Sequence, residues 1–158
     1  MFRVSRTIHF CYGHRLLNYA GKCRHLHGHN GRVEIELSAA RLDRRGIVRD
    51  FEEIKRTIQR WIDTMLDHTM LLRKDDPVAK PLSRRGERIL LLPINPTAEM
   101  IAKLIFEEAK RLRFPVTSVR MWETDDSFAT YRPPESRRSG TSRSRVDRAP
   151  SRSPGRSG

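Results

Sequence analysis

Cysteine is scarce in this chain: Cys11 and Cys23 are the only two among 158 residues. Two thiols cannot build a disulfide scaffold, and their scarcity fits a reducing compartment, so a cytoplasmic location is expected. Long apolar runs are missing too. The longest, at residues 89–92, falls far short of the roughly 20 residues that a membrane-spanning helix needs. Arg3 and Arg6 are followed by no continuous apolar stretch, so neither a signal peptide nor a membrane anchor is expected. Acidic residues are outnumbered, 19 against 32 basic ones, giving a formal charge of +13. The excess is uneven: residues 133–158 hold seven Arg against Glu135 and Asp147, with Val146 as the sole aliphatic side chain larger than Ala. Such a segment buries too little apolar surface to offset its ordering entropy, so a disordered Arg/Ser/Pro/Gly-rich tail is expected there. It has no aromatic residue for stacking on bases, and the body has no basic helix. It reads first as a solvated terminus without a partner, and its alternative is weak, salt-sensitive contact with polyanions.

What remains is a body of 132 residues, enough for one domain. Val4, Ile8, Phe10 and Tyr12 alternate with polar residues, which predicts a half-buried strand interrupted in pattern only by Arg6. His9 points away from that apolar face. Gly21 marks a turn over residues 18–22. The alternation is clearest over residues 31–39, where Gly31, Val33, Ile35 and Leu37 share one face. A turn at residues 43–46 ends this second strand.

From Asp50 the period becomes helical: Phe51, Ile54, Ile58, Trp61, Ile62, Met65 and Leu66 form one stripe behind an Asp N-cap. Residues 73–93 carry mixed signals, and the run at 89–92 reads equally as a strand fragment or a core plug. Asn95 as cap, Pro96 at the first helical position and Glu99 in the first turn predict a second helix, ended by Pro115. Residues 116–124 and 127–132 read as a hairpin around Asp125 and Asp126. The expected class is α+β: a four-stranded antiparallel sheet with two helices on one face, in the order strand, strand, helix, helix, strand, strand. The uncovered sheet face makes self-association an expectation.

Histidine is concentrated where chemistry would need it. His27 and His29 have i, i+2 spacing, which on a strand aims both rings to one side, and His14 at the end of the first strand can join them if the two strands pair. Three histidines leave an open position on zinc, the catalytic pattern, although Cys23 as a fourth ligand would make a closed structural site. Cys23 lies between Lys22 and Arg24, and positive neighbours favour a thiolate. Asp67 and His68 follow the first helix, where a carboxylate can orient an imidazole for proton transfer near neutral pH. A simple helix-end turn satisfies the same local sequence. Glu123 continues the face of Val119 and Met121, where a carboxylate can anchor a flat ligand bearing N–H donors. His25 has no assigned role.

Phe10 and His14, Cys23-Arg-His-Leu-His27-Gly-His29, Asp67-His68-Thr-Met-Leu71, Asn95-Pro-Thr-Ala-Glu99 and Glu123-Thr124 together resemble the 6-pyruvoyltetrahydropterin synthase superfamily, over residues 2–132. The three residues between Cys23 and His27-Gly-His29 resemble the 6-carboxytetrahydropterin synthase branch of queuosine biosynthesis; the pyruvoyl branch has a longer gap. The resemblance implies a tunnelling fold and a hexameric homo-oligomer. It implies Zn2+ held by His14, His27 and His29 and completed by hydroxyls of the substrate, with Cys23, Asp67 and His68 catalytic. It implies a pterin site at Glu123 and Thr124. The implied reaction converts 7,8-dihydroneopterin triphosphate to 6-carboxytetrahydropterin, acetaldehyde and triphosphate. The pyruvoyl product or another pterin side-chain cleavage remains an alternative, as does, in a different class, a zinc-stabilised basic nucleic-acid-binding protein. Cys11-Tyr12-Gly13 departs from the small residues that precede the zinc histidine in many relatives, and His25 lies inside the Cys-to-His gap.

Overall fold

The computed structural model describes residues 1–134. The disordered tail expected over residues 133–158 lies, from residue 135 onward, outside the described residues. Strands β1 (Phe2–His14) and β2 (His27–Ala39) pair antiparallel over their whole length, from Phe2 opposite Ala39 to His14 opposite His27. Their alternation sets this register. Ile8, Phe10, Tyr12 and His14 of β1 and Gly31, Val33, Ile35 and Leu37 of β2 are buried on one face, while His9 is exposed. A slip of one residue would carry every one of these side chains to the wrong face. Beyond β2, β5 (Val116–Trp122) pairs antiparallel with a bulge between Glu36 and Leu37, and β6 (Phe128–Tyr131) closes the predicted hairpin.

The sheet does not stop at four strands. β3 (Thr69–Arg73) runs parallel to the end of β1, and β4 (Ile89–Leu92) runs parallel to β3, giving the order β4-β3-β1-β2-β5-β6. The expected four-stranded antiparallel sheet is thereby corrected to a mixed six-stranded one, within the same α+β class. The reason is visible in the residues. Leu71 and Leu72 of β3 are fully buried on opposite faces, and a strand covered on both faces reads as an unbroken apolar run without a period of two, whereas β4 at the sheet edge buries Leu92 and leaves Leu91 exposed.

Asp50 caps the first helix through its carboxylate, which accepts from Glu52 N–H at 2.9 Å. α1 (Phe51–Ile54) continues through a π-helical segment, Lys55–Gln59, into α2 (Arg60–Met65). Ile54, Ile58, Ile62 and Leu66 are fully buried, each worth on the order of 2 kcal/mol of hydrophobic stabilisation. Phe51 and Met65, expected in the same stripe, are exposed. A short α3 (Ala79–Arg84) leads into β4. α4 (Ala98–Arg111) lays Ile101, Ala102, Ile105, Phe106 and Ala109 against the same core as the inner sheet face. Its N-cap is Thr97, whose hydroxyl accepts from Met100 N–H, rather than the expected Asn95. Asn95 is occupied elsewhere: its side-chain amide accepts from Leu17 N–H at 2.9 Å and donates to Leu17 C=O at 3.0 Å. This clamp ties the segment after β1 to the start of α4.

Candidate active site

The β1–β2 register places His14 directly opposite His27, and His29 two residues further along the same inner face. The three rings converge: centroid separations are 4.5 Å for His14–His27 and 5.0 Å for each of the other pairs. One nitrogen from each histidine lies within 4.8 Å of the others, a geometry that can hold a metal ion. Backbone carbonyls decide which nitrogens face inward. His14 Nδ1 meets Pro96 C=O at 2.7 Å and His27 Nδ1 meets His25 C=O at 2.8 Å. A carbonyl can only accept, so both Nδ1 atoms carry the proton and both Nε2 atoms present lone pairs, 3.0 Å apart. Metal-binding histidines are commonly fixed by such outer hydrogen bonds.

The residues present fit a cation. His29 Nε2 is buried without a hydrogen-bond partner among the described residues, a costly state that a metal at the centre would relieve. Burial lowers the pKa of His14, outweighing Pro96 and Glu123, which favours the neutral ligand form. The donor set of three imidazoles suits zinc and leaves a position open.

Glu123 lies just beyond β5, its Oε1 3.8 Å from His14 Nε2 and 3.2 Å from the Tyr12 hydroxyl, which donates to it. Cys23 is half-buried in a single 3-10 turn, Lys22–Arg24, held to the end of β1 by Leu16 N–H donating to Cys23 C=O at 2.8 Å. His14, Cys23 and Glu123 line one cleft of about 310 Å³, whose wall also includes Thr97 and Ala98 at the start of α4. Thr124 is exposed in the β5–β6 turn and does not line that cleft.

Asp67 and His68 stand elsewhere. Asp67 Oδ1 accepts from Cys11 N–H at 2.8 Å, and its Oδ2 accepts from His68 Nδ1 at 2.7 Å. His68 N–H donates to Cys11 C=O, and its φ of 51° is left-handed, uncommon for a non-glycine residue. Burial works to raise the Asp67 carboxyl, but the Cys11 amide and the His68 and Arg88 charges outweigh it and hold it below the ordinary range. The His68 side chain is 73% exposed and lines a second cleft of about 510 Å³, which His27 and His29 also border. The histidine cluster thus fronts both clefts, with Cys23 on one and His68 on the other.

The roles of Pro96, Asn95, Tyr12 and His25 were not anticipated from the sequence. Pro96 and Asn95 act through groups remote in sequence from the residues they hold, and no local pattern signals that role. Tyr12 stood out only as a bulky residue before His14. His25, left without a role, supplies the carbonyl that orients His27, while its ring accepts from Arg24 Nε at 3.1 Å.

The model of the family 6-pyruvoyl tetrahydropterin synthase matches residues 3–134, and the chain belongs to that family. It is 36% identical over 139 residues to the 6-carboxy-5,6,7,8-tetrahydropterin synthase of Rickettsia typhi, a match covering 81% of this chain and 98% of that protein. Among solved structures it is similar to an uncharacterized protein from Wolinella succinogenes, with a TM-score of 0.69 at 26% identity over 83% of this chain and 97% of that one. It shares a fold with the 6-pyruvoyl tetrahydropterin synthase of Caenorhabditis elegans, with a TM-score of 0.63 at 21% identity over 84% and 95% of the two chains. Among the described residues, no helix is long and apolar enough to cross a membrane.

Proposed function

We propose that this protein is a zinc-dependent lyase that converts 7,8-dihydroneopterin triphosphate and one water to 6-carboxy-5,6,7,8-tetrahydropterin, breaking the carbon–oxygen bond to triphosphate and the side-chain carbon–carbon bond that frees acetaldehyde. The observation that carries this reading is the convergence of His14, His27 and His29 beside a carboxylate and a thiol, with His29 Nε2 buried and unpartnered. The curated relative from Rickettsia typhi, matched over nearly its full length, bears that product in its name.

In this reading His14, His27 and His29 hold the zinc, through Nε2 in the case of His14 and His27. When bound, the metal supplies Lewis acidity, which polarises oxygens on the substrate side chain and acidifies the neighbouring C–H. Glu123 receives the N–H donors of the pterin ring and so fixes which side-chain carbon approaches the metal centre. Cys23 Sγ, in the same cleft as His14 and Glu123, takes the proton from that carbon. His68, oriented by Asp67, exchanges a proton at the other side of the substrate, so the two groups divide base and acid roles between separate environments. Thr124, exposed beside Glu123 and outside that cleft, is given no contact with the pterin in this reading. The catalytic body is residues 1–132, and it works as a homo-oligomer in the cytoplasm.

Product analysis with 7,8-dihydroneopterin triphosphate, before and after chelation, tests the reading. Loss of 6-carboxytetrahydropterin formation on chelation and its return with Zn2+ are expected. Full turnover by metal-free protein, or a different pterin product, overturns it.

A further inference from the structure

Tyr12 bears the polar side-chain group on the inner face of β1 that the proposed chemistry leaves unused. It is buried to 3% exposure, yet its hydroxyl reaches the partly exposed Glu123, donating to Oε1 at 3.2 Å across 111 residues of sequence. Its ring stands edge-on to His14, with centroids 5.3 Å apart, and lies 5.6 Å from His29. The space for that ring comes from β2. A Cβ on Gly31 would fall 2.9 Å from Tyr12 Cε1 and 2.7 Å from Met121 Cε, closer than real Cβ contacts come. Gly31 pairs across the strands with Phe10, so the vacancy it leaves is filled from the neighbouring position, by Tyr12.

These contacts connect the two halves of the site. A carboxylate on the loop after β5 has few means of keeping one orientation unless something donates to it, and Tyr12 does so from a ring wedged against two of the three clustered histidines. We propose that Tyr12 is a positioning residue for ligand recognition: its hydroxyl, seated over Gly31, holds the Glu123 carboxylate in the orientation that receives paired N–H donors of a flat heterocycle. The proposal rests on the reading of Glu123 as the pterin anchor. With one Oε1 lone pair taken by Tyr12, the second lone pair and Oε2 remain for the ligand, enough for two parallel N–H donors.

The test measures binding of neopterin, which lacks the triphosphate, by its own fluorescence, on the full-length zinc-loaded protein and on the variants Tyr12→Phe, Glu123→Gln and the double variant. Tyr12→Phe keeps the ring over Gly31, so an unchanged melting temperature and unchanged zinc content are expected. Its neopterin affinity should fall about tenfold, as befits loss of a hydrogen bond to a charged acceptor. In turnover the same variant should raise KM by a similar factor with kcat little altered, a division that loss of stability alone does not produce. Because Tyr12 acts through Glu123, Tyr12→Phe should weaken binding no further in the Glu123→Gln background. Wild-type affinity in Tyr12→Phe, or equal losses in both backgrounds, overturns the positioning role while Glu123 remains the anchor. Wild-type affinity in Glu123→Gln, or no neopterin binding by the unaltered protein, overturns the anchor reading and this inference with it.

Discussion

The His14 ring donates from Nδ1 to the carbonyl of Pro96 at 2.7 Å, joining the end of β1 to the residue just before the Thr97 cap of α4. That one contact fixes the tautomer of the ring and directs Nε2 toward His27. Asn95 strengthens the arrangement by clamping Leu17 through both atoms of its amide. The geometry of the histidine cluster is thus held directly by the backbone carbonyls of Pro96 and His25, and behind them by the Asn95 side chain.

Each of the three histidines should be needed for stoichiometric metal. Replacing His14, His27 or His29 singly with Ala is expected to leave less than half an equivalent of zinc after dialysis, as measured by atomic emission. A variant that keeps one equivalent would remove that residue from the ligand set.

The proposed mechanism gives Cys23 proton transfer rather than a place on the metal. Cys23→Ala should lower kcat by about 100-fold or more, the usual scale for losing a general acid or base, while zinc content stays at the wild-type level. Loss of zinc together with activity would instead make the thiol a ligand.

Cys23 and His68 line different clefts, so in the proposed homo-oligomer one active site can draw its thiol and its Asp67/His68 pair from different chains. Mixing inactive Cys23→Ala and His68→Ala subunits under conditions that allow exchange should restore part of the activity. A mixture as inactive as its components would mean that each chain completes its own site.

Arg15, next to His14, forms a two-bonded ion pair with Asp76, whose side chain is fully buried. Burial alone would raise the Asp76 carboxyl, but the Arg15 and Val78 hydrogen bonds outweigh it and lower its pKa. A carboxyl lowered in the folded state adds stability that is fully present above its unfolded pKa of about 3.9 and is lost as pH falls through the folded value. Asp76→Asn should cost about 3 kcal/mol at pH 7, because it leaves Arg15 without its counter-charge. Urea unfolding at pH 7 and at pH 3 checks this: the gap between wild type and variant should narrow at the lower pH, and a constant gap would contradict it.

Where alternation was clean, the sequence was a sufficient guide. Val33, Ile35 and Leu37 defined a face, Ile8 and Phe10 defined its partner, and their pairing brought His14, His27 and His29 together as their spacing implied. β3 escaped notice because Met70, Leu71 and Leu72 have no alternation, and because its partner β1 is far away in sequence. The cap of α4 was misplaced by two residues because Asn95 satisfies the local rule for a cap, yet its amide is drawn off by Leu17. Tyr12 and Gly31 show the same limit. Each looks unremarkable alone, and their complementarity in size exists only across the β1–β2 pair.

Anomalous diffraction at the zinc edge, from crystals of the full-length protein, is the most direct measurement of the central claim. The account predicts a single peak about 2.0–2.1 Å from one ring nitrogen of each of His14, His27 and His29, the ordinary zinc–imidazole distance. A peak placed elsewhere, or one with Cys23 Sγ as its fourth ligand, would contradict it.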